Sequence, residues 1–262
     1  MGVAGVSGKF LGLPQFVVRE GSLTPSGRMV LDGREAVHLK GARRLREGEL
    51  VRVGDGTGWV VVAQIEEISR DKVRLHVVQD LGSHDDLIPC TFILSLIRRE
   101  RFETALARLS EMGVAVVQPV ITKRSRYFGT HPQRLEKRLN RWQNICLESL
   151  KQSRGFNATL IRRPKVLPEA LKNLSGVAER IALFASERGK GFFDVFETTS
   201  MIFPCAVAIG PEGGFDPEEK ELLISMNFKA AGLGSRILRS ETAAIYLGAL
   251  LSEIFLRKRL HT

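Results

Sequence analysis

The chain has 262 residues, 44% of them apolar and 7% aromatic, with a formal net charge of +10. That length and aliphatic content suit an α/β protein, either as one large domain or as a small domain followed by a medium one. No apolar run reaches the roughly 18–20 residues of a membrane helix, and the N-terminus lacks the basic-then-apolar pattern of a secretory signal, so a cytoplasmic protein with a loose leader is expected.

In chain order, residues 16–18 read as an edge strand, and 50–53 and 59–65 as β-rich runs. Between these runs, Gly54-Asp55-Gly56-Thr57-Gly58 supplies the positive φ angles of a hairpin turn. Residues 73–78 alternate apolar and polar as a further strand, and Gly82-Ser83-His84-Asp85-Asp86 reads as a polar linker. Residues 1–85 are therefore expected to form a small β-rich domain. From residue 90 the rhythm becomes strand, helix, strand. Residues 90–97 are uncharged, as in a strand buried on both faces. Phe102, Ala105, Leu106, Leu109 and Met112 follow at helical spacing, and Gly113 supplies the stop. Residues 114–121 form the next strand, Leu135, Leu139, Trp142 and Cys146 mark a long helix, and 181–185 and 205–209 are two more short strands. Residues 86–262 are expected to be an α/β domain with a mostly parallel sheet.

The charge is localised. Residues 1–97 carry 12 Lys/Arg against 12 Asp/Glu, residues 164–262 again 12 against 12, and residues 98–163 carry 15 against 5. A local excess is the footprint of a face that binds a polyanion; solvated helix faces are the alternative use. Membrane-surface binding is disfavoured, because the basic residues do not share one aromatic-rich amphipathic helix. Cys90, Cys146 and Cys205 sit among apolar neighbours and are expected as buried thiols without a disulfide; the histidines show no metal-ligand spacing, so no metal is expected.

Two loops carry the chemistry. The strand at 205–209 runs into Gly210-Pro211-Glu212-Gly213-Gly214-Phe215, then Asp216-Pro217-Glu218-Glu219. The latter is a helix start, with Asp216 as cap and Pro217 at the first helical position. A glycine-rich loop at a strand's C-terminal end is a ligand site in α/β proteins. Phosphate is rejected: no Lys-Ser/Thr follows, the spacing is not GxGxxG, and Glu212 with three acids behind it repels anions. A neutral or cationic ligand lying on bare backbone fits better; a plain tight turn is the alternative. The second loop, from Leu233 to Ala243, holds Arg236, Arg239 and Glu241 between a short strand at 230–233 and a helix with Ala244, Leu247, Leu251 and Ile254 on one face. Such charges between buried elements are costly unless paired or functional.

In this order, Gly-Pro-Glu-Gly-Gly-Phe and Leu-Gly-x-Arg-Ile-Leu-Arg-x-Glu-Thr-Ala resemble the ribosomal RNA small subunit methyltransferase E family of the SPOUT class. His38-Leu39 with Arg44 and Gly48, residues 109–119, and Lys151-Gln152-Ser153 extend the resemblance over most of the chain. The chain departs from the family pattern at Arg43, Arg108 and Lys151.

The resemblance implies a C-terminal SPOUT-type domain, a five- or six-stranded parallel sheet tied in a trefoil knot, preceded by a small β-rich PUA-like barrel that binds RNA. It implies a bent S-adenosylmethionine held by three loops, through Phe184, Glu187, Ile209, Gly210, Glu212, Gly213, Gly214, Leu233, Gly234, Ile237, Leu238 and Thr242. It implies a homodimer with the segment 243–256 at the interface, and methylation of N3 of a specific uridine in small-subunit ribosomal RNA, reached in the assembled subunit. Arg239 is the candidate that stabilises the deprotonated uracil; Glu241 is either the base or the group that holds Arg239. Lys40, Arg43, Arg44, Arg46, Arg98, Arg99, Arg101, Lys123, Arg124, Arg126 and Arg138 would contact RNA phosphates. The alternatives are another knotted methyltransferase, acting on ribose 2′-hydroxyls or transfer RNA, and an RNA-binding ribosome-assembly factor without catalysis.

Overall fold

The structure, a computed structural model, describes residues 10, 12–18, 27–41, 45–125, 132–174, 176–184, 192 and 202–260. The chain divides into two compact units: Met1–Asp86 with Leu150–Ala158, and Leu87–Ser149 with Thr159–Thr262.

The first unit contains β1 (Gln15–Val17), β2 (Arg28–Asp32), α1 (Gly33–Gly41), β3 (Leu50–Gly54), β4 (Trp59–Ile68) and β5 (Lys72–Ser83). The sheet order is β1-β3-β4-β5-β2, antiparallel except where β1 meets β3. Alternate residues face inward, so Met29, Leu31, Val51, Val53, Val73 and Leu75 form a core with Phe16 and Leu39. The glycine hairpin forms as expected: Gly58 has φ 115°, and a Cβ there would lie 2.8 Å from the His84 carbonyl oxygen. β2 and the nine-residue α1 have no counterpart in the sequence reading. α1 turns only Ala36 and Leu39 fully inward, too short a pattern to announce a helix.

The expected linker at 82–86 belongs to the first unit and is held there. Gly82 and Ser83 complete β5, and Asp86 accepts hydrogen bonds from the backbone N–H of Phe156 (2.9 Å) and of Asn157 (3.1 Å). Arg52 is wholly buried, its guanidinium 5.3 Å from the Phe156 ring centroid; burial, then the charge of Arg154, lowers its pKa. Lys151, a departure from the family pattern, is buried and pairs with Glu35 at 2.7 Å.

The second unit contains β6 (Ile88–Ser95), α2 (Arg99–Glu111), β7 (Val114–Ile121), most of α3 (Pro132–Ser153), β8 (Leu160–Ile161), β9 (Lys165–Val166), α4 (Leu167–Leu171), β10 (Glu179–Leu183), β11 (Cys205–Ile209), α5 (Pro217–Ser225), β12 (Lys229–Ala231) and α6 (Ser240–Leu260). The strand order is β12-β10-β11-β6-β7-β8, with β9 also on β7, and every pairing is parallel. Among the described residues seven strands stand where five or six were expected, because the two-residue β8 and β9 extend the β7 edge. The central strands are buried on both faces; all five residues of β11 are inaccessible. α2 and α3 bury the apolar faces read from their spacing, with Phe102 4.7 Å from Trp142 between ring centroids. Gly113, at φ 76°, ends α2. α6 packs Ala244, Leu247, Gly248, Leu251 and Ile254 inward, and a Cβ on Gly248 would lie 2.8 Å from Leu109.

All three cysteines are buried. Burial pushes the Cys146 thiol up to about 11 and raises that of Cys90. Among the described residues, no helix is long and apolar enough to cross a membrane.

Candidate active site

Because the sheet is parallel, the C-terminal ends of its strands share one edge, where α/β proteins bind ligands. The chain leaves β10 at Leu183, β11 at Ile209 and β12 at Ala231. These three strands are neighbours, so their following loops converge. They enclose a cleft of about 210 Å³, partly open to solvent, lined by residues 183–184, 209–212, 214, 231–234, 236–240 and 243.

Local chemistry fixes the loops. Gly214, at φ 68°, closes a turn in which its N–H donates to the Pro211 carbonyl at 2.8 Å. A Cβ on Gly210 would stand 3.0 Å from the Phe215 backbone nitrogen, so a side chain there would push this fold-back open by a few tenths of an ångström. Buried Ser240 donates to the Gly210 carbonyl at 2.7 Å and ties the second loop to the first. Phe215 packs beneath, with its ring centroid 6.2 Å from that of Phe184.

The acids behind the glycine loop are internally satisfied. Asp216 caps α5 by accepting from the Glu219 N–H (2.8 Å), and Glu219 accepts in return from the Asp216 N–H (2.9 Å). Glu219 also accepts from the Lys123 N–H at 2.8 Å. The Lys123 ammonium contacts Asp216 (2.8 Å) and Glu218 (2.7 Å). Hydrogen bonds to Asp216 and then Glu218 raise the Lys123 pKa well above the ordinary lysine value, and the Lys123 bond holds the Asp216 carboxyl low.

Next to the cleft lies a hollow lined by Arg98, Arg101, Arg124, Glu212 and Gly213. Its arginines follow β6 and β7, the strands beyond β11 in the sheet. Arg101 contacts Glu212 at 3.2 Å and Glu241 at 3.5 Å. Arg124 donates to the Gly213 carbonyl at 2.7 Å. Glu212 lines both cavities.

Nine of the residues expected at the donor site line the cleft, Phe184, Ile209, Gly210, Glu212, Gly214, Leu233, Gly234, Ile237 and Leu238, and so does the catalytic candidate Arg239. Gly213 lines the arginine hollow instead, and Thr242 stands exposed on the first turn of α6, off the cleft. Glu241 does not line the cleft and pairs with Arg101 rather than Arg239; its other carboxylate oxygen is buried without a hydrogen bond. Arg239 is exposed and, among the described residues, has no carboxylate partner. The carboxylate of Glu212 is engaged by Arg101, so it offers a ligand less negative charge than the bare loop sequence suggested.

The basic residues are more committed than their sequence suggested. Arg99 and Arg141 both pair with Glu103; burial would raise that carboxyl, but the two arginines outweigh it and hold it below the ordinary range. Arg138 lies over the Trp142 ring at 5.9 Å. In the first unit, Lys40 donates to the carbonyls of Ser69 and Arg70, and Arg46 is exposed. Glu187, Arg43, Arg44 and Arg126 lie outside the described residues. Pro211, Arg236, Ser240 and Ala243, which lie in the two loops read from the sequence, also line the cleft, and Leu183, Ala231 and Gly232 line it from outside those loops with no sequence signal beyond adjacency.

The chain matches the RNA methyltransferase domain family over residues 85–252 and the RNA methyltransferase PUA domain family over residues 31–78. It is 34% identical over 171 residues to ribosomal RNA small subunit methyltransferase E of Mesomycoplasma hyopneumoniae, covering 63% of this chain and 70% of that protein. To the enzyme of the same name from Rickettsia conorii it is 26% identical over 227 residues, 85% of this chain and 88% of that one. Among solved structures, that of ribosomal RNA small subunit methyltransferase E from Neisseria gonorrhoeae, bound to S-adenosyl methionine, superposes with a TM-score of 0.80 at 25% identity, over 92% of this chain and 98% of that one.

Proposed function

Because the chain belongs to the ribosomal RNA small subunit methyltransferase E family, we propose that it methylates N3 of a specific uridine in small-subunit ribosomal RNA, using S-adenosylmethionine, in the cytoplasm and as a homodimer. The observation that carries this reading is the single sheet edge on which a glycine-walled cleft adjoins an arginine-lined hollow, with Glu212 in both walls.

The cleft fits the donor. Gly210 leaves backbone where any side chain would intrude, Leu233, Ile237 and Leu238 offer apolar cover for an adenine, and backbone groups of the glycine loops are at hand to bond it. Bound there, the donor supplies an electrophilic methyl on a sulfonium. Neutral uridine N3 is a poor nucleophile, so the chain must favour loss of its proton. Arg239, in the cleft wall and without a carboxylate partner among the described residues, is placed to stabilise the negative charge that develops on the uracil oxygens. Glu241 acts through Arg101 and not as the base, since it pairs there and stays off the cleft. Exposed Tyr246, Leu256 and Leu260 on α6 offer the apolar face that a second copy would cover.

Calorimetry with S-adenosylmethionine tests the donor half. One site per chain is expected. Gly210→Ala is expected to weaken it by on the order of tenfold, because the methyl meets backbone that cannot yield without moving the loop. An absence of binding by the unaltered chain would favour an RNA-binding assembly factor.

A further inference from the structure

Resting on the methyltransferase reading, we infer that the arginine-lined hollow is a subsite for one phosphate of the RNA, the one adjoining the target uridine. Three arginines from two connections, Arg98 and Arg101 after β6 and Arg124 after β7, converge on it. Their charges are not equally available. Arg101 is held between Glu212 and Glu241. Among the described residues, Arg98 has no carboxylate ion pair, and Arg124 donates to the Gly213 carbonyl and helps to hold the nearby Asp216 carboxyl low without forming an ion pair to it. Two guanidinium groups without a carboxylate ion pair around one hollow match a phosphodiester, whose oxygens accept forked N–H donors.

The backbone adds to this. The thirteen-residue α2 begins at the hollow, with Arg98 as its N-cap residue and no side-chain cap. Its first N–H groups and the positive end of its dipole remain available to an anion. α5, which follows the glycine loop, is the opposite case: Asp216, Glu219 and Lys123 close its N-terminus. An anion is thus repelled behind the glycine loop and accommodated one strand away.

Glu212 forms part of both walls, so a nucleotide whose phosphate occupies the hollow has its base beside the cleft. Glu212 and Glu241 then serve as positioning residues. They fix Arg101 at the junction, and their negative charge keeps the phosphate on the Arg98 and Arg124 side.

The test is equilibrium binding of unmethylated small ribosomal subunits by filter retention over a salt series. Each phosphate contact contributes a slope of about 0.7–0.9 to the fall of log affinity with log salt. Arg98→Ala and Arg124→Ala are each expected to lower the slope by about that amount, and the double variant by no more than either alone, because both groups hold one phosphate. Arg98→Lys should retain the slope, since it keeps the charge, and Arg98→Ala should bind S-adenosylmethionine as the parent does. Additive losses in the double variant, or slopes unchanged in the singles, would overturn the inference. Failure of the parent chain to bind subunits or S-adenosylmethionine would instead overturn the methyltransferase reading on which it rests.

Discussion

Arg239→Ala is expected to lower turnover by about a hundred- to a thousandfold, the usual effect of removing one group that stabilises a developing oxyanion. S-adenosylmethionine affinity should stay within about twofold, because the loss falls on the transition state and not on the ground state. Arg239 stands in the cleft wall, exposed and without a carboxylate partner among the described residues. Its substitution leaves no buried charge orphaned, so the loops should keep their shape. Arg239→Lys keeps the charge but loses the planar fork that spans two acceptors, and should fall between the two. Single-turnover rates on unmethylated subunits, with calorimetry for the donor, separate the cases. Parallel loss of donor binding and turnover would mean that Arg239 holds the loop together rather than serving the chemistry.

Glu241 provides the second large effect and distinguishes two mechanisms. If it is a positioning residue, Glu241→Gln retains an oxygen that accepts from Arg101 and should keep turnover within about fivefold, with an unchanged pH profile. Glu241→Ala removes the acceptor from beside a half-buried guanidinium and should lose on the order of tenfold to a hundredfold. A general base behaves differently: the glutamine variant would lose about a hundredfold or more and the acidic limb of its pH profile would change. With no carboxylate base, turnover should rise with pH as N3 of the bound uridine ionises, and the midpoint should move up in Arg239→Ala, which removes the cation that favours the ionised base.

The C-terminal fold was legible in the sequence because its strands are buried on both faces and read as uninterrupted apolar runs. Residues 114–121 and 205–209 coincide with β7 and β11. The cap at Asp216 was legible because the Asp-Pro-Glu-Glu order specifies it chemically. What the sequence could not disclose were partners distant along the chain. Glu241 lies two residues from Arg239, yet its partner is Arg101, brought from a neighbouring connection by the parallel sheet. Lys123 counted as a free cation until Asp216 and Glu218 arrived at its ammonium. The polar stretch at 82–86 carried linker composition, but Asp86 exists to satisfy the backbone of Phe156 and Asn157. Charge counts locate a basic segment; only folding decides which of its charges remain available.

The central claim is base methylation of small-subunit RNA from this cleft. Its most direct test uses small subunits from a strain lacking the endogenous enzyme, incubated with the chain and isotopically labelled S-adenosylmethionine, then digested to nucleosides and mapped by mass spectrometry. One labelled methyl is expected, retained on the base of a single uridine and absent when Arg239→Ala replaces the parent chain. A methyl on ribose, label in transfer RNA, or no transfer to subunits by a chain that binds the donor would contradict it.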